Sequence, residues 1–287
     1  MSSPAISVLI PVYNVATRIQ LCFNSLKAQT LQSAEFIFVD DGSTDGSGKL
    51  CDDFARTEPR ARVIHFERNK GTLLARKECI CQATGRFCVW LDPDDYYTSL
   101  KSLNVMLAEA EKHDADMLQY NVAVSDGDKN LHEYMLNWLR WKGEPRTRGC
   151  TRILNRFFSN QERISWNIWN KIYKTSLLKK TVPYIPEAHI TCAEDVLLIF
   201  TCALWAETLS YADTEPLQCY VIAGGVSTGK VDIDHYLNHY ASEPQIAQYA
   251  ENIAKKCGKA SDVKENIKFL YDSMWNIAFW RLKSLPQ

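Results

Sequence analysis

From Ile6 to Val12 the chain runs apolar and β-branched, with Pro11 near its close, and Ile19, Cys22, Phe23 and Leu26 then recur at helical spacing. This predicts a strand followed by a helix. The pattern repeats: Phe36 to Val39 reads as a second strand, Gly42-Ser43-Thr44-Asp45-Gly46 as a turn with helix-capping residues, and Leu50 to Ala55 as a second helix. Val63 to Phe66 reads as a third strand, Thr72 to Ala83 as a helix stopped by Gly85, and Phe87 to Leu91 as a fourth strand. Leu100, Leu103, Leu107 and Ala110 mark the next helix, and Met117 to Tyr120 return to strand. Such alternation predicts the α/β class, with a doubly wound, mostly parallel (mixed) sheet flanked by helices and a ligand site beyond the carboxyl ends of its strands.

The alternation weakens after Asn121, and Ser125 to Lys129 is a polar, turn-rich stretch. Three regions are expected: a ligand-binding half over 1–120, a second half over 121–230, and a helical C-terminal extension over 231–287. The second half carries Trp138, Trp141, Trp166 and Trp169, and an apolar helix opened by Glu194-Asp195. In the extension Val263, Ile267, Leu270, Met274 and Ile277 repeat at helical spacing, with Phe269, Trp275 and Phe279 widening the apolar face. Packing on the main body is the expected use; Trp280, Arg281 and Lys283 also suit peripheral contact with a membrane surface.

Composition narrows the class. In 287 residues, 46% apolar and 23% charged, 33 basic side chains face 34 acidic ones, so nothing demands nucleic acid. Ten cysteines are scattered without a Cys-x-x-Cys pair, Met1 to Ala5 is no signal peptide, and Val196 to Trp205 is too short to cross a bilayer. A cytoplasmic protein with reduced thiols is expected, at most peripheral at the inner face of the membrane.

Asp92-Pro93-Asp94-Asp95 follows the fourth strand, which crowds three like charges at one strand end. They form either an exposed polar turn or a site where a hard divalent cation, Mg2+ or Mn2+, offsets the repulsion. Asp40-Asp41 ends the second strand, either as a helix start or as an acceptor for a base N–H. Glu194-Asp195 suits the dipole at the start of its helix, or supplies a base.

Ile10-Pro11-Val12-Tyr13-Asn14, Val39-Asp40-Asp41-Gly42-Ser43-Thr44-Asp45, Asn69-Lys70-Gly71 with Ala75-Arg76, and Gly85-Arg86-Phe87 leading to Leu91-Asp92-Pro93-Asp94-Asp95 together resemble the family 2 glycosyltransferases of the inverting GT-A fold. Trp169-Asn170-Lys171-Ile172-Tyr173 followed by Ala193-Glu194-Asp195-Val196 resembles members that build bacterial surface polysaccharides such as lipopolysaccharide and capsule. The resemblance implies a UDP-sugar donor and a saccharide or lipid-linked saccharide acceptor. It implies that Pro11 and Tyr13 line the uracil pocket, that Asp41 accepts from the uracil ring, and that Asn69 and Arg76 close the pocket. Asp92 becomes the ribose or metal-proximal acid, Asp94 the ligand of the cation, Asp95 a donor-sugar contact or turn cap, and Asp195 the catalytic base. Trp169 and Glu194 are expected on the acceptor side.

His235 and His239, four apart, lack a third zinc ligand, and His189 is expected to make a structural hydrogen bond near the base. Trp138, Arg140, Trp141 and Lys142 suit a sugar-stacking or interfacial surface, or core and rim. A phospho-receiver module fails on order, because a complete strand and helix precede the acidic pair. A nucleotidyltransferase would want a Gly-rich basic loop, which Val12 to Arg18 is not. A non-catalytic nucleotide-sugar-binding protein would not need Asp195.

Overall fold

The computed structural model describes residues 3–125, 129–161, 163–222, 240 and 243–283; His235, His239 and much of the polar stretch after Ser125 lie outside them. Strands β1 (Ile6–Val12), β2 (Ala34–Asp40), β3 (Ala61–His65) and β4 (Phe87–Trp90) alternate with helices α1 (Gln20–Lys27), α2 (Ser47–Thr57) and α3 (Thr72–Gln82). They pair in parallel in the order β3-β2-β1-β4, with Ile6 opposite Ala34 on one side and Phe87 on the other. Successive residues of a strand point to opposite faces, and both faces are covered. Val8, Ile10, Phe36 and Phe38 pack into one core, Leu9, Ile37 and Val39 into the other. That double burial is why these strands read as unbroken apolar runs.

Pro11 tests this register. It lacks the N–H a central strand needs, yet β4 pairs with β1 only from Ile6 to Leu9 and leaves after the Leu91 N–H bonds the Leu9 carbonyl. Pro11 therefore sits where no neighbour waits for its donor.

The chain continues through β5 (Tyr96–Tyr97), α4 (Ser102–His113), β6 (Met117–Tyr120), β7 (Val122–Val124), α5 (Lys129–Leu139), β8 (Arg146–Arg148), α6 (Cys150–Phe157), β9 (Lys171–Lys174), α7 (Thr175–Thr181), α8 (Glu194–Ala203), β10 (Thr208–Ala212) and β11 (Gln218–Tyr220). Two more helices follow, α9 (Glu243–Lys256) and α10 (Lys264–Lys283). The large sheet runs β3-β2-β1-β4-β9-β6-β10-β8, and β9 is antiparallel to both β4 and β6. The sheet is thus mixed, with a late four-residue strand at its centre. A second sheet, β5-β11-β7, stands beside it.

Ile246, Ala250, Ile267, Leu270 and Met274 of α9 and α10 are buried in the second core, so the extension packs on the body, while Trp275, Phe279 and Trp280 project outward. Trp138 packs edge to face on Trp166 and Trp141 stacks on Tyr211, which makes both part of the core and its rim. All ten cysteines are free thiols, and among the described residues no helix is long and apolar enough to cross a membrane.

Glu35 ties the amino ends of the central strands together. Its Oε1 accepts from the Ser7 hydroxyl at 2.5 Å, the Thr84 N–H at 2.7 Å and the Gly85 N–H at 3.1 Å, and Oε2 pairs with Arg62 at 3.0 Å. Burial alone would raise its pKa, but these donors hold it below the usual glutamate range. Glu35→Ala is expected to cost about 2–3 kcal/mol at neutral pH by stranding those donors. A depressed carboxylate stabilises above its unfolded pKa and ceases to do so as pH falls through its folded one. The deficit should therefore shrink in acid, which urea unfolding at pH 7 and pH 3.5 checks.

Candidate active site

The order reverses between β1 and β4, and there the carboxyl ends of β1, β2 and β4 deliver the predicted residues to one edge. Past β1, Pro11 is buried while Tyr13 is 42% exposed, a ring offered to a planar partner. The loop that carries Tyr13 is clamped by the loop after β2. Ser43 Oγ accepts the Asn14 N–H at 3.1 Å, Asn14 Oδ1 accepts the Thr44 N–H at 2.9 Å, and Asp45 Oδ2 accepts the Ala16 N–H at 2.9 Å. The expected helix-capping role gives way in part to this lacing, because α2 starts from Gly46 in a left-handed conformation.

Asp41, only 2% exposed, accepts the N–H groups of Lys70 at 2.7 Å and Gly71 at 2.9 Å. Burial raises its pKa in spite of those two donors. Gly71, at φ +93°, lies so close to the chain ahead of α8 that a Cβ there would fall 2.8 Å from the Ile190 nitrogen. Asn69 Oδ1 accepts the Gly71 N–H and pairs with His189 Nε2 at 2.7 Å. His189 thus makes a structural hydrogen bond, and the segment leading to Asp195 is docked onto the Asn69 loop.

Arg76 is the junction. Its buried guanidinium bonds Asp92 Oδ1 through Nη2 at 2.9 Å and Glu194 Oε1 through Nε at 3.1 Å, and it lies over the Trp90 ring at 5.1 Å. Burial works against its charge, but the flanking acids raise its pKa overall. Glu194, expected on the acceptor side, is instead turned onto this guanidinium. Asp195 beside it is half-buried; Oδ1 accepts the Val196 N–H at 2.8 Å, and among the described residues Oδ2 has no hydrogen-bond partner. Burial and then the neighbouring Glu194 carboxylate push its pKa up to about 7, with Arg76 pulling the other way. Ala193, immediately before, holds φ +60°, a left-handed conformation that costs about 1 kcal/mol or more for a residue with a Cβ. Strain of this kind marks functional turns, and no sequence pattern announced it.

In the acid turn, Asp94 lies 3.5 Å from Arg18, and burial, then Asp92, raises its pKa. A partly buried carboxylate with only a loose cationic partner fits a hard divalent ion. Among the described residues no cluster of three ligands is preformed, so the fit is to an ion that takes one or two carboxylates and completes its shell with phosphate oxygens and water. Asp95 is 1% exposed, and its oxygens accept from the Val221 N–H at 2.9 Å and Gln218 Nε2 at 3.4 Å. Trp169 is likewise buried and stacks on Tyr220 at 5.2 Å rather than opening to ligand itself.

Lys171, on β9, lies where the Asp195 charge acts on it, which its position in the sequence did not reveal. Fully buried, its Nζ donates to the Ser165 carbonyl, the Asn167 carbonyl and Asn170 Oδ1 at 2.6–3.1 Å. Burial pushes its pKa down to about 7, and Asp195 partly offsets this.

Comparison with known proteins agrees with this geometry. The chain is 27% identical over 223 residues to EpsH of Bacillus subtilis (strain 168), provisionally named as a glycosyltransferase, covering 77% of this chain and 62% of EpsH. It is 31% identical over 133 residues to TuaG of the same organism, provisionally named as a teichuronic acid biosynthesis glycosyltransferase, covering 45% of this chain and 53% of TuaG. The matches therefore span less than two thirds of these relatives' length. The crystal structure of S. aureus TarS 1–349 in complex with UDP-GlcNAc superimposes with a TM-score of 0.69 at 23% identity, covering 92% of this chain and 71% of that one, and shares the GT-A fold. The family profile described as "Glycosyl transferase family 2" matches residues 7–182, more than half of the sequence, and the chain belongs to that family.

Proposed function

We propose that the protein transfers a sugar from a UDP-sugar to a hydroxyl of a glycan or lipid-linked saccharide, with inversion and with Mn2+ or Mg2+, in the synthesis of a bacterial surface polysaccharide. The observation that carries this reading is the Arg76 junction, which ties Asp92 of the acid turn at the end of β4 to Glu194, the residue before the half-buried Asp195, through one guanidinium. UDP-GlcNAc bound by TarS and the teichuronic acid named for TuaG support the choice of donor and pathway class. The exposed Trp275, Phe279 and Trp280 support peripheral contact at the inner face of the membrane.

In this reading Tyr13 stacks on uracil over Pro11, and Asp41 with Asn69 forms the rim and floor of the base pocket. Asp92 stands at the ribose, and Arg76 orients it. Asp94, with Asp92 beside it, would hold a divalent cation, whose charge stabilises the departing diphosphate. Asp195 Oδ2 takes the proton from the acceptor hydroxyl as that oxygen bonds to the anomeric carbon. The bond from that carbon to the diphosphate oxygen breaks on the opposite side, which inverts the centre. Trp169 acts on the acceptor through Tyr220, and Glu194 through Arg76.

A panel of UDP-sugars and GDP-sugars with MnCl2, scored for nucleotide release with and without candidate glycans, tests the proposal. Acceptor-stimulated UDP release from one donor, lost in EDTA and restored by Mn2+, is the expected result. Release of GDP only, full activity in EDTA, or pyrophosphate formation from a sugar phosphate and UTP would each overturn it.

A further inference from the structure

We propose that Asp95 is a positioning residue that couples the donor-side acid turn to the acceptor-side wall, so that nucleotide held by the turn also firms the wall. The inference rests on the donor reading above. It starts from a division within one turn: the Asp95 N–H closes the turn onto the Asp92 carbonyl at 3.0 Å, yet the Asp95 carboxylate points into the protein.

There it meets β11 and the residue that follows it. Oδ1 accepts the Val221 N–H at 2.9 Å and Oδ2 accepts from Gln218 Nε2 at 3.4 Å. Gln218 is fully buried, and its Oε1 is 2.8 Å from the Tyr120 hydroxyl, which is also 2.9 Å from the Trp169 carbonyl. Gln218 and Tyr220 are two apart on one strand and so share a face. Tyr220 stacks on the Trp169 ring at 5.2 Å with the planes 6° apart.

Two routes therefore leave the acid turn for the Trp169–Tyr220 wall, one through side chains and one through backbone. The backbone route is the pairing of β5, directly after Asp95, with β11, where Tyr96 faces Cys219 and Tyr97 faces Gln218. The side-chain route is costly to break, because Asp95 and Gln218 are both buried and the loss of either partner strands the other without water to replace it. An ordinary cap would need only the Asp95 backbone; the two hydrogen bonds to its side chain are what make the turn and the wall one unit.

The test exploits the polarity of the Asp95–Gln218 bond. In Asp95→Asn the amide sets donor against donor at Gln218; in Gln218→Glu two carboxylates face each other. The double variant Asp95→Asn with Gln218→Glu restores one donor and one acceptor with the direction reversed. Hydrogen exchange of the segment 217–222 and UDP affinity in MnCl2 are measured for all four proteins.

Each single variant is expected to exchange about tenfold faster in 217–222, and UDP–Mn2+ should protect the segment in wild type and fail to do so in either single variant. The UDP Kd should stay within about threefold throughout, as fits loss of one hydrogen bond outside the nucleotide pocket, and the double variant should recover the protection. Loss of UDP binding in Asp95→Asn, or no recovery in the double variant, would overturn the assignment, as would slow exchange in both single variants. If wild type itself does not bind UDP, the donor reading falls instead, while the ligand-free exchange of the four proteins still decides whether Asp95 holds the wall.

Discussion

Asp195→Asn is expected to lower turnover by about 10²-fold or more, with UDP binding unchanged within about twofold. The amide fills the same space and can still accept the Val196 N–H, so the fold has no reason to change. What is lost is a carboxylate whose pKa, pushed up to about 7 by burial and by Glu194, suits it to take a proton near neutrality. The sign also follows for pH. The base works ionised, so kcat/KM of the wild type should rise with pH through about 7 and level off above it. For stability the direction is opposite: a carboxylate with a raised folded pKa binds more protons folded than unfolded, so its ionisation destabilises the native state as pH climbs. Asp195→Asn should therefore melt no lower than wild type at pH 8. Initial rates from pH 5.5 to 9, titration calorimetry with UDP and a thermal melt check the three parts. Turnover within threefold of wild type would remove Asp195 from the role of base.

Arg76→Met should do damage of another kind. One guanidinium separates Asp92 from Glu194, with Asp195 alongside, and the side chain is 5% exposed, so no water replaces the lost charge. Removing one partner from such a buried network costs about 3–5 kcal/mol, since the remaining carboxylates stay desolvated and repel one another. Arg76→Lys should rescue little, because a single ammonium cannot span two acids from Nε and Nη2. The deficit should be largest at pH 8 and shrink toward pH 5, where Asp195, pushed up to about 7, carries a proton and Glu194, also raised by burial, moves toward its neutral form. Whatever activity survives should have its acid limb shifted to higher pH, as Arg76 is the group that pulls the pKa of Asp195 down. Urea unfolding of both variants at pH 5 and 8 measures this. Stability within about 1 kcal/mol of wild type at pH 8 would mean that Arg76 is no junction.

Both effects depend on placement that the sequence disclosed unevenly. Asp92-Pro93-Asp94 was visible because an apolar strand runs straight into it, and the β1 and β2 ends for the same reason. The role of Asp95 was not visible, since its neighbours Gln218 and Val221 lie more than 120 residues away. Glu194 read as a helix-start acid or an acceptor-side residue; only the docking of the Gly71 loop against Ile190 turns it onto Arg76. The strand β9 was legible only as a motif, because four residues with lysine at either end carry no periodicity that distinguishes a strand.

The order β3-β2-β1-β4 came from the structure, but by itself the sequence determined the alternating strands and helices of a doubly wound, mostly parallel half, the acids at the strand ends and the family. Those features are encoded locally: strands buried on both faces must be continuously apolar, and a turn that follows such a strand inherits its position at the sheet edge. Tertiary structure alone decided which acids are tied to protein groups, as Asp95 is to Val221 and Glu194 to Arg76. A carboxylate's role is set by what desolvates it and what donates to it, and for Asp95 and Glu194 the donors, Gln218, Val221 and Arg76, come from segments far away in the chain.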